Sequence, residues 1–183
     1  DPAKVKEPVV QVFAAPAFGR RGAFGVHTWI VANRTGAPAF TRYDVVVWSG
    51  APYVQVDYLD PDALWFGSMP VLLADRRGDG VEALIGRIEE AVRRYPYADT
   101  YLTWPGPNSN TFVAHVAREV PGLRLDLPAN AVGKDYLPLT SAIARDVGRL
   151  PVAKSVLVPN APPPVPRSTE MELAPKSATA RSG

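Results

Sequence analysis

Short runs of β-branched and aromatic residues crowd the first 58 positions, and helical periodicity begins only near position 80. Strands that come first and helices that follow imply an α+β domain, an antiparallel sheet packed against two or three helices. The runs are Val9–Phe13, Phe24–Val31, Phe40–Trp48 and Tyr53–Tyr58. Between the first two, Ala14 to Gly22 carries the Pro and Gly residues of a loop, and Asn33–Pro38 is the turn of a longish antiparallel hairpin. A period of two puts His27 on the same strand face as Gly25, Trp29 and Val31.

Two helices follow. From Gly80 to Tyr95, Val81, Leu84, Ile85, Ile88, Ala91 and Val92 recur at steps of three and four, with Glu82, Arg87, Glu89, Arg93 and Arg94 opposite, and Pro96 ends the pattern. Tyr101–Trp104 reads as a short strand and Pro105-Gly106-Pro107 as a rigid turn. A second helix then begins, with Asn108 or Ser109 as its N-cap and Phe112, Val113, Val116, Ala117 and Val120 as its apolar stripe. Ser141–Val147 has the length of one more short helix.

These patterns divide the chain into a linker over 1–8, one globular domain over 9–150, and a tail over 151–183. The tail holds seven prolines and no aromatic residue, and so cannot bury enough apolar surface to fold. A sequence pI near 9.0 invites a nucleic-acid partner. The formal excess of +2 lies entirely in the tail, however, where Lys154, Arg167, Lys176 and Arg181 face only Glu170 and Glu172. A formally neutral domain gives phosphate-backbone binding little support. The absence of cysteine excludes disulfides, thiolate metal sites and a Cys nucleophile. Two histidines without an HExxH-like spacing argue against a metal, and the glycines at 19, 22 and 25 do not make a nucleotide loop. No cofactor is implied.

The segment Trp104-Pro-Gly-Pro-Asn-Ser-Asn-Thr-Phe112 is where chemistry is most readily placed. A side chain at a helix start feels the positive end of the helix dipole, and free amides beside it stabilise a developing oxyanion. Ser109 is the candidate nucleophile and needs a base. His115 lies on the same helix more than a turn away, which leaves His27, brought across the fold, with Tyr43 or Asp44 as the group that orients it. Backbone amides near Asn110 are the expected oxyanion donors.

The strings Val26-His27-Thr28-Trp29, Thr41-Arg42-Tyr43-Asp44-Val45, Trp65-Phe66-Gly67, Tyr95-Pro96-Tyr97, Trp104–Phe112, Asp126-Leu127-Pro128 and Gly133-Lys134-Asp135-Tyr136 resemble the bacterial DUF3750 family over about Val9–Pro138. Its members look like envelope proteins with an N-terminal hydrophobic segment that is not part of this sequence. The resemblance thus implies a periplasmic or envelope setting and proximity to a membrane. A glycine-rich continuation expected after Asp135-Tyr-Leu-Pro138 is missing here. More distantly, an early-strand His followed by an Asn-x-Asn-x-Phe helix start is similar to circularly permuted papain-like (NlpC/P60-type) amidases and acyltransferases. These carry Cys where this chain has Ser109. Serine is far less acidic than cysteine, so the exchange makes a degenerate relative one of the expected outcomes.

Plainer readings stand beside these. His27 would be a buried histidine satisfied by neighbouring strands, and residues 108–110 a cap with an Asx turn. His115 would be a half-exposed helix residue and Lys134-Asp135 a surface pair. Trp29, Trp48, Trp65 and Trp104 would be core anchors, or two of them would wall a groove. The sequence therefore leaves two functions open. One is an amide or ester hydrolase acting through His27 and Ser109, with Asp44 or Tyr43 in support. The other is a non-catalytic envelope module that binds a peptide, glycan or lipid fragment beside Trp29, Trp104, Asn108 and Asn110. An accessory role would order the tail on a protein partner.

Overall fold

The structure, a computed structural model, describes residues 4–137. The expected helix at 141–147 and the tail from 151 lie outside the described residues. Five strands form one antiparallel sheet in the order β4-β3-β2-β1-β5: β1 (Val9–Pro16), β2 (Val26–Asn33), β3 (Thr41–Val45), β4 (Val54–Val56) and β5 (Val71–Arg77). Two helices, α1 (Val81–Arg93) and α2 (Ser109–Glu119), complete an α+β domain.

The alternation expected of half-buried strands runs through the sheet. Val10, Val12, Ile30, Ala32, Tyr43 and Val45 join the α1 residues Leu84, Ile85 and Ile88 and the α2 residues Phe112, Val113 and Val116 in one core. The residues between them on the strands point the other way, where Ala15, Trp29 and Val31 meet Val46, Leu59 and Trp65 in a second cluster. Helices thus cover one face of the sheet, and the loop between β4 and β5 covers part of the other.

Two elements depart from the sequence reading. Tyr101–Trp104 is not a strand: it runs irregularly, tied by the Leu102 N–H to the Pro107 carbonyl at 2.8 Å. Conversely, β5 pairs with β1, with a register shift at Val12/Phe13. Its apolar run is only four residues long before Asp75-Arg76-Arg77, and Val71 and Leu72 stay exposed on this sheet edge, which hides the usual signature of a strand. The third run also ends early, turning into a 3₁₀ helix at Val47–Ser49.

Candidate functional site

The start of α2 is fixed by its own side chains. Asn108 is the N-cap: its carboxamide oxygen accepts from the N–H groups of Asn110 (3.0 Å) and Thr111 (3.2 Å), and Thr111 Oγ1 accepts in return from the Asn108 N–H. Asn108 Nδ2 and Asn110 Nδ2 both donate to the Val132 carbonyl, and Thr111 Oγ1 donates to the Gly133 carbonyl. This binds the helix start to the stretch 130–133. Gly133 is required there, since a Cβ would lie 2.5 Å from Asn108 Nδ2. Asn110 also reaches the sheet, donating to the Val26 carbonyl and accepting from Thr28 Oγ1 at 2.9 Å. Ser109, the first residue of α2, takes no part in this lattice of bonds and lines a cavity instead.

On the face of the sheet away from the helices, strand alternation brings His27, Trp29, Arg42 and Asp44 together. His27 Nε2 lies 2.9 Å from Asp44 Oδ1, a close polar contact in which the ring N–H is not aligned into a hydrogen bond. The Asp44 carboxylate also accepts from Arg42 Nη2 at 2.6 Å, Arg42 Nε at 3.2 Å and the Val45 N–H at 2.7 Å. Arg42 donates to the Asp60 carbonyl, and its guanidinium lies 4.1 Å from the Trp29 ring centroid. Trp65 stacks on the imidazole, 3.6 Å between centroids and 3° from parallel. Complete burial alone would raise the Asp44 pKa, but the interactions with His27 and with the Arg42 guanidinium outweigh it and hold the carboxyl below its ordinary value.

Of the two candidates for orienting His27, Asp44 is the one against the ring. Tyr43, next along β3, points to the helix side and packs in that core, where burial pushes its phenol up to about 12. Nε2 being turned to Asp44, Nδ1 is the ring nitrogen left for another partner.

His27 and Ser109 both line one cavity of about 880 Å³, within the ~300–1,000 Å³ range of ligand sites. Its wall includes Phe18, Val47, Trp48, Tyr53, Trp65 and Phe66, and among the described residues its lining contains no Asp or Glu. Trp104, Asn108 and Asn110 line it as well; Trp29 does not, being fully buried beneath Arg42. The amides of Asn110 and Thr111, expected as oxyanion donors, are already taken by the Asn108 cap. The Ser109 N–H is the donor the first turn retains.

Arg42 escaped the sequence reading, and Trp65, expected as a core anchor or groove wall, was not linked there to His27. The spacing of Arg42 and Asp44 places them on one strand face, a signal that was present, but nothing in the sequence says that this face is buried. His115 is half-buried beside the Ala91 carbonyl, with Nε2 at 3.1 Å, and burial lowers its pKa.

The domain is thus an antiparallel sheet backed by two helices, with a buried Arg–Asp–His chain on one face and a serine at the Asn108-capped start of α2. The chain belongs to the DUF3750 family, described as "Protein of unknown function (DUF3750)", whose profile matches residues 7–136. No curated protein and no solved structure matches it.

Proposed function

We propose that the cavity is the acyl site of a serine hydrolase of permuted papain-like type, acting on an ester or amide. The observation that carries this reading is a histidine held by a buried aspartate and sharing a cavity with a helix-start serine whose side chain stays out of the capping bonds. In the reaction, His27 Nδ1 takes the Ser109 hydroxyl proton as Oγ bonds to the carbonyl carbon. The tetrahedral oxyanion is met by the Ser109 N–H and the positive end of α2. The carbonyl–leaving-group bond breaks, and the leaving alcohol or amine carries off the proton from His27. Water, deprotonated by the same ring, then attacks the acyl-serine ester, releasing the carboxylic acid and restoring Ser109. Asp44 remains ionised throughout and stabilises the transient imidazolium.

A specific observation favours the second reading, a non-catalytic binding module of the bacterial envelope. Asn108 consumes two amides that an oxyanion hole at this helix start would use. A fluorophosphonate probe separates the two. The hydrolase reading expects wild-type labelling that Ser109→Ala abolishes while the melting temperature holds; labelling that persists in Ser109→Ala, or never occurs, leaves the binding module.

A further inference from the structure

The rim of the cavity differs from its wall. Phe24 and Trp104 both line it, yet they are 81% and 77% exposed, two large aromatic side chains held in water at the mouth of an apolar chamber. A folded domain gains nothing from such exposure, and apolar rim residues of this kind mark a surface that meets something apolar. Arg20, also exposed, supplies the only fixed charge in the lining among the described residues. A mouth whose described residues include two aromatics, one cation and no carboxylate is complementary to the interface of an anionic bilayer, where indole and phenyl rings settle at the headgroup level and a basic residue meets lipid phosphate.

From this we infer that the domain docks on an anionic lipid surface through Phe24 and Trp104, and that the chamber takes the acyl chain of a lipid ester. The second half of this inference rests on the hydrolase reading above. The lining can serve both parts of such a ligand: Phe18, Val47 and Phe66 offer the chain an apolar wall, and His27 and Ser109 offer the carbonyl polar partners. An apolar peptide is the competing ligand, but it would bring backbone N–H and C=O groups into a wall that is mostly hydrocarbon and aromatic, at a desolvation cost a methylene chain does not incur.

Two measurements test the inference, one of them independent of catalysis. In the first, Ser109→Ala protein is sedimented with vesicles of phosphatidylcholine containing phosphatidylglycerol, or of phosphatidylcholine alone. Binding should favour the anionic vesicles and fall about tenfold or more in Ser109→Ala/Phe24→Ser/Trp104→Ser, since each aromatic removes a buried apolar anchor. Both rim residues are largely exposed, so the melting temperature checks that the loss is not unfolding. In the second, wild-type protein is offered nitrophenyl esters from acetate to decanoate, and kcat/KM should climb with chain length. Equal rates on acetate and decanoate together with no vesicle binding would overturn the inference while leaving the hydrolase intact. Vesicle binding without esterolysis or probe labelling would keep the docking surface and remove the hydrolase. Cleavage of apolar peptide amides, with vesicles ignored, would hand the chamber to a peptide.

Discussion

The two faces of the sheet are built on different physics. On the helix side, Val10, Val12, Ile30 and Ala32 meet Ile85, Ile88 and Phe112, and cohesion comes from apolar area removed from water. On the opposite side a charged chain, Arg42–Asp44–His27, is enclosed by Trp29 and Trp65, and its desolvation is offset by ion pairing, hydrogen bonds and aromatic stacking. The first face tolerates imperfect packing at a graded cost. The second tolerates little, because removing one member leaves a charge without its counterpart in a dry place. A fold can therefore be secured on one side while the other is given over to a costly polar arrangement, the pattern expected where a site is built.

The sharpest way to break this contrast is Asp44→Ala. It strands the buried Arg42 guanidinium and should cost about 3–5 kcal/mol in urea unfolding. Replacing Arg42 and Asp44 together by Met and Leu should recover most of that loss; if it does not, the charges are not what makes this face intolerant. On the helix side Ile88→Ala, at a fully buried position, should cost about 2–5 kcal/mol with no effect on the acid limb of the stability curve. Asn108→Ala removes the cap of α2 and should cost about 0.5–2 kcal/mol, with faster amide exchange in the first turn.

The smallest effects are in pH, and they sharpen the contrast because the two faces fail at opposite ends of the scale. Asp44 has its carboxyl held below 3.8 in the fold, so its contribution is present above that value and is lost as pH falls through the folded value. Asp44→Asn should flatten the acid slope. Tyr43 has its phenol raised from 10.0 to about 12, so its contribution is whole below 10 and is lost as pH climbs towards 12. An absorbance titration of wild type against Tyr43→Phe reads the shifted phenol directly.

Much of the scaffold was legible because periodicity is local. The apolar spacing of Leu84, Ile85 and Ile88 and the alternation through Val26–Asn33 depend only on near neighbours in the chain. The site was legible in part for the same reason: Asn108 announces a helix start, and Ser109 follows it. What stayed hidden is non-local. Trp65 covers His27 from a loop 38 positions away, and Arg42 acquires its meaning only when Trp29 from the next strand lies under it. Tyr43 and Asp44 were equally plausible as the orienting group until the hairpin register, Ile30 against Tyr43, decided which faced the imidazole.

The clasp between the start of α2 and residues 130–133 has a practical corollary. Val132 is at once a wall of the chamber and an anchor for Asn108 and Asn110, while the Asn130 carbonyl holds the Val26 N–H at 3.2 Å. A truncation drawn just after Glu119, where α2 ends, would delete one side of the vestibule and remove the anchors of the helix start that carries Ser109.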